Sequence, residues 1–180
     1  EPHREAAACA MDSMGIVDVG TVGSPDLLIH DPRSPSGIRA NPATLLRELD
    51  RALARCRFIV VDFGDTFRAD GYAELCTDER ALAARRDAVR RLDGLLGRIS
   101  ERLDFAKDTM MVISPSPRVF TDLDEERLTP LLIRGKAYPA GPLTSPSTRT
   151  RGLVTISDIA PTVISLLGIV PPPDLTGRPI

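Results

Sequence analysis

Histidine is almost missing from this sequence: His3 and His30 are the only two among 180 residues. Imidazole is the usual side chain for proton transfer near neutral pH and a frequent zinc ligand, so sites that need several together are not offered here. His30 precedes Asp31-Pro32 in a loop and reads as a solvated or locally bonded residue. Cysteine is scarce as well. Cys9, Cys56 and Cys76 are odd in number and show no CxxC spacing, which indicates neither a disulfide framework nor a zinc site. They read as small apolar fillers. Charge of one sign is lacking too: 23 lysines and arginines are interspersed among 25 aspartates and glutamates, leaving no electrostatic footprint for nucleic acid. No apolar run approaches the roughly 20 residues of a membrane-spanning helix, and no secretory signal is present.

The chain opens on Glu1-Pro2 and closes on Gly177-Arg178-Pro179-Ile180, which reads as a piece of a longer protein. The rest of that protein is the expected partner, and any membrane association is expected only through segments outside this piece. No nucleic-acid partner is expected. Nothing in the residues assigns a compartment or an oligomeric state.

What is present is a balanced, 42% hydrophobic chain able to bury one sizeable core, and hence one domain or a large part of one. Glu5 to Met14 favours helix. Asp31 to Asn41 is a Pro/Ser/Gly-rich loop. Asn41 is placed to cap a helix with Pro42 at its first position, and Leu45, Leu46, Leu49, Leu53 and Ala54 recur at helical spacing. Phe58 to Val61 is a continuous apolar strand ending at Asp62-Phe63-Gly64-Asp65. A long helix is predicted over Thr77–Leu103, with a stripe of Leu82, Val89, Leu92, Leu96, Ile99 and Leu103, and with its arginines on a solvated face. Thr109 to Ile113 and Leu131 to Ile133 are buried strands, and Asp158 opens a last helix that Gly168 ends. This order predicts an open α/β sandwich with mainly parallel strands, whose ligands lie beyond the carboxyl ends of those strands.

Asp158-Ile159-Ala160-Pro161-Thr162-Val163-Ile164-Ser165-Leu166-Leu167-Gly168-Ile169, followed by Pro171-Pro172-Pro173-Asp174-Leu175-Thr176-Gly177-Arg178-Pro179-Ile180, closely resembles the terminal motif of cofactor-independent phosphoglycerate mutases. Related wording occurs in phosphopentomutases, sulfatases and nucleotide pyrophosphatases of the alkaline phosphatase superfamily. Leu128 to Gly135 resembles a further strand of that family. The resemblance covers about residues 57–180, with 1–56 as an N-terminal helical and loop flank. It implies a three-layer α/β/α sandwich, alkaline-phosphatase-like and truncated, as a single partial domain over 1–180.

In active relatives an Asp-His pair and other carboxylate and imidazole ligands hold two divalent metals that activate a Ser or Thr nucleophile. Aligned by the resemblance, Pro115 stands at the aspartate and Ser116 at the histidine, and neither is a useful ligand. Asp62 and Asp65 are the weak remaining metal candidates, beside a competing reading in which they cap a turn and pair with Arg68. Arg68, Ser114, Arg118, Ser147 and Arg149 are candidates for binding an anion. No catalytic residue is assigned. The expectation is a non-catalytic, phosphatase-like part of a larger protein with a structural or ligand-binding role and no cofactor. The alternative is a metal-dependent phosphohydrolase or phosphomutase using zinc, manganese or magnesium, with its nucleophile and remaining ligands outside this piece.

Overall fold

Asn41 and Pro42 set the first helix as their chemistry predicts. In the computed structural model the Asn41 side chain accepts from Thr44 N at 3.3 Å, Pro42 takes the first position, and α1 runs Pro42–Leu53. The structure describes residues 27–34, 36–115 and 128–180, and the backbone of 6–12. The other elements are β1 (Ala6–Asp12), β2 (Leu28–His30), β3 (Ile38–Ala40), β4 (Cys56–Asp62), α2 (Asp65–Tyr72), α3 (Asp78–Ser100), β5 (Met110–Ile113), β6 (Leu131–Arg134) and α4 (Ile159–Leu167). They divide into two compact units. One holds the described residues up to Asp104, with Leu128 and Thr129; the other holds 105–115 and 130–180.

The expected three-layer sandwich with a mainly parallel sheet is not what these residues form. The described strands make three separate two-stranded sheets, β1 with β4, β2 with β3 and β5 with β6, and only the first is parallel. The chain is mixed α/β. Leu131 to Ile133, read as another strand of the expected sheet, alternates in burial, and Leu132 is 63% exposed. A two-stranded antiparallel ladder has one face without a covering layer, so alternate residues meet solvent however apolar they are. The expected helix at Glu5 to Met14 is also overturned. Its described part is β1, whose alanines are good helix formers but pair in register with β4, from Ala6 opposite Cys56 to Asp12 opposite Asp62. A neighbouring apolar strand offers backbone partners all along this stretch and outweighs local propensity.

The first unit is closed by a core of Ala40, Leu45, Leu46, Leu49, Ala52, Cys56 and Leu95, with Ile59, Val61, Phe63 and Ile99 packed against it. Cys56 is fully buried, as a filler would be, but it is disulfide-bonded, whereas Cys76 is a free thiol. α3 faces this core with a stripe shifted from the predicted one. Ala88 and Leu95 are buried while Leu82 and Val89 are nearly half exposed. The shift follows from Arg91, which lies on the Ala88–Leu95 side and is drawn to a buried carboxylate. No helix among the described residues is long and apolar enough to cross a membrane.

Leu45 and Leu95 are the largest apolar side chains with almost no exposure. Truncating Leu45 to alanine is expected to cost about 3 kcal/mol, from lost burial plus the cavity left behind. Urea unfolding monitored on the helical signal measures it, and a loss below about 1 kcal/mol contradicts this assignment of the core.

Candidate functional site

Two buried carboxylates organise the chemistry-bearing residues, one in each unit. The first is Asp65, in the opening turn of α2, where the helix dipole favours negative charge. It is 2% exposed. Its Oδ1 accepts from the Ala40 amide at 2.8 Å and from Arg68 Nη2 at 2.6 Å, and its Oδ2 accepts from Arg91 Nε at 3.0 Å. One carboxylate thus ties the end of β3 and the middle of α3 to the start of α2. Arg68 reaches it from one helical turn on, as the turn reading proposed, while Arg91 comes from 26 residues away. Asp70 pairs with Arg85 in the same way. Two arginines read as part of a solvated face, Arg85 and Arg91, are therefore inward ion-pair partners of α2.

Asp62 is half-buried at the end of β4. A cation placed at Asp65 would stand against two guanidinium groups, and like charge at hydrogen-bond distance opposes metal binding strongly in a buried place. Among the described residues no group of three or more His, Cys, Asp or Glu side chains is placed to share a metal ion.

The second carboxylate is Asp158, fully buried in the other unit. The turn Ile156–Asp158 precedes α4, and Thr155 and Asp158 form a reciprocal capping box, with Thr155 N donating to Oδ2 at 3.0 Å. Ser147 Oγ donates to Oδ1 at 2.6 Å, and the amide of Arg178 donates to the same oxygen at 2.9 Å. Burial pushes this carboxyl upward, but hydrogen bonds from Ser147, the Arg178 and Thr155 amides and Ser145 more than reverse it and hold it well below the usual carboxylate range. Thr162, 1% exposed, continues the network: its hydroxyl donates to the Asp158 carbonyl at 2.6 Å and accepts from the Ile180 amide at 3.0 Å. The two halves of the terminal motif, the start of α4 and the Gly177–Ile180 tail, are hydrogen-bonded to each other. Gly177 permits this closeness. It sits at φ +87°, and a Cβ there would overlap the Ser157 carbonyl oxygen.

The anion-binding candidates are distributed as follows. Arg68 is turned to Asp65 and Ser147 to Asp158. Ser114 follows β5, its amide donating to Pro130 O at 3.3 Å, and Pro115 beside it is exposed. Arg149 is exposed, in a left-handed conformation at φ 56°. Ser116 and Arg118 lie outside the described residues. The sequence reading missed Asp158 as a buried centre. The available signal was the Thr155-Ile156-Ser157-Asp158 spacing, a capping-box pattern just before an apolar helical run.

No protein-family model, curated protein or solved structure matches the chain.

Asp158→Asn leaves the amides and hydroxyls around it without their charged acceptor and is expected to destabilise the chain by about 2–4 kcal/mol. Because the folded carboxyl is held below its unfolded value, its stabilisation is complete above that value and is lost as pH falls through the folded one. The stability gap between parent and variant should thus be constant from pH 7 to about 5 and narrow below about pH 4. Chemical unfolding across that range checks it, and a gap that widens on acidification contradicts the network. Gly177→Ala carries both the unfavourable φ and the overlap with Ser157. A loss above about 1 kcal/mol is expected, and a neutral result in the same assay would place the tail elsewhere.

Proposed function

We propose that this chain is a non-catalytic, phosphatase-like module, related to the alkaline phosphatase superfamily, that serves a larger protein in a structural or ligand-binding role. The observation that carries this reading is the environment of Asp65. It stands just past the end of β4, where the resemblance puts a metal-site carboxylate, and both its oxygens are engaged by Arg68, Arg91 and the Ala40 amide. A guanidinium supplies the positive charge that a divalent cation would bring, and supplies it permanently. Pro115, aligned with a ligand aspartate, adds no donor. The most recognisable motif, around Asp158 and Gly177, serves to fasten the tail to α4. A frame can outlive its reaction, since activity resides in the site and not in the fold.

Elemental analysis of the chain and of the intact protein that contains it, purified without chelators, is expected to give no stoichiometric zinc, manganese or magnesium. Phosphomonoester and phosphodiester turnover is expected to stay at background when each metal is added. Stoichiometric metal with metal-dependent turnover contradicts the proposal.

A further inference from the structure

α1 and α3 pack through Leu46, Leu49, Leu95 and Ile99. Beside that contact lies a shallow, open cleft of about 700 Å³, lined by Arg47, Asp50 and Arg51 of α1, Leu46 below them, Arg98 of α3 and Arg102 two residues past its end. Four guanidinium groups therefore meet at one place from segments about fifty residues apart. Their neutralisation is partial. Asp50 pairs with Arg102 Nε at 2.8 Å, and the buried Glu48 takes Arg51 Nη1 at 2.7 Å and Arg47 Nε at 3.5 Å through one oxygen. Arg98 donates Nε to its own helix, at Gly94 O, and has no carboxylate partner among the described residues. Arg47 and Arg51 are more than half exposed, so their remaining donors face solvent.

Arg47 and Arg51 are four residues apart within α1, a spacing at which like charges destabilise a helix. Packing the two pairs around one cleft adds repulsion between the helices. Arg86 and Arg90 share this spacing on exposed positions of α3, so it is the meeting of two arginine pairs at one place, and not the spacing alone, that sets these four apart. Arg85 and Arg91 avoid such a conflict by pairing with aspartates. A bound anion removes the conflict at the cleft, because the guanidinium fork matches phosphate oxygens bidentately. Arg102 is committed to Asp50 and to the Arg98 carbonyl, whereas Arg47, Arg51 and Arg98 keep donors on both sides of the cleft, and donors from two sides suit two adjacent phosphoryl groups better than one.

We propose that this cleft binds a small compound bearing adjacent phosphoryl groups, with Arg47, Arg51 and Arg98 as its ligands and Asp50 restraining Arg102. The site is distinct from Asp65 and needs no metal, so it stands whether or not the module is catalytic. Asp50 is the negative element of the cleft: it competes with the ligand for Arg102.

Isothermal titration of the 180-residue chain with inorganic pyrophosphate at moderate salt tests the proposal. Saturable one-to-one binding is expected, weakened about tenfold in Arg98→Gln, whose replaced group holds no carboxylate, and strengthened in Asp50→Asn. Unfolding midpoints within about 2 °C of the parent separate loss of the site from loss of the fold. Absence of saturable binding overturns the proposal, as does an Arg98→Gln affinity equal to the parent's or an Asp50→Asn affinity that falls. Binding of a single-stranded oligonucleotide with none of pyrophosphate also overturns it, showing a polyanion surface in place of a small-molecule site.

Discussion

A buried carboxylate must find donors inside the protein, and in this chain that requirement ties distant segments together in each unit. The second unit shows it most plainly. Among its described residues the buried side chains are Ser145, Asp158, Pro161 and Thr162, while Leu132, Ile156, Ile169 and Val170 are exposed. Asp158 gathers a loop hydroxyl, the amide that opens its own turn and an amide of the tail. Removing the charge does not remove one contact; it leaves several donors aimed at nothing. Thr162 passes the same constraint along, taking the Ile180 amide with the hydroxyl that bonds the Asp158 carbonyl.

The first unit has an apolar core, and Asp65 works at its edge. Arg68 and Arg91 give a largely buried pairing whose Coulomb gain offsets the desolvation of all three groups only because the geometry is close and the Ala40 amide adds a third partner to Asp65. Such pairings add little net stability over an apolar packing but are specific in register. Here the register is that of α2 against α3 and of the β3–α1 junction. The carboxylate holds helices, and four further guanidiniums, partly neutralised by Glu48 and Asp50, line the cleft beside α1 and α3.

Helices were legible where periodicity and caps agree. Asn41-Pro42 began α1, acidic Asp78 and Glu79 led α3, and Gly168, at φ +68°, ended α4. β4, β5 and β6 were legible as apolar runs. Their pairing was not, because Leu131-Leu132-Ile133 has the same letters whether a layer covers it or solvent does. β1 was hidden by its alanines, since the strand it joins is 44 residues further on at Cys56. At the candidate site, the Arg68–Asp65 pair was legible because it is local. Arg91, Arg178 and Ser147 were not, since each reaches its carboxylate across at least eleven residues. The same limit concealed the arginine cleft, since Arg98 and Arg102 were read only as part of a solvated face.

Both buried carboxylates take their donors from the chain itself. Hydrogen exchange at two backbone amides tests this directly: Ala40, which donates to Asp65, and Arg178, which donates to Asp158. Slow exchange at both, unchanged by added zinc, manganese or magnesium, is the predicted result. Fast exchange at either amide, or protection that changes when a metal is added, would contradict the account.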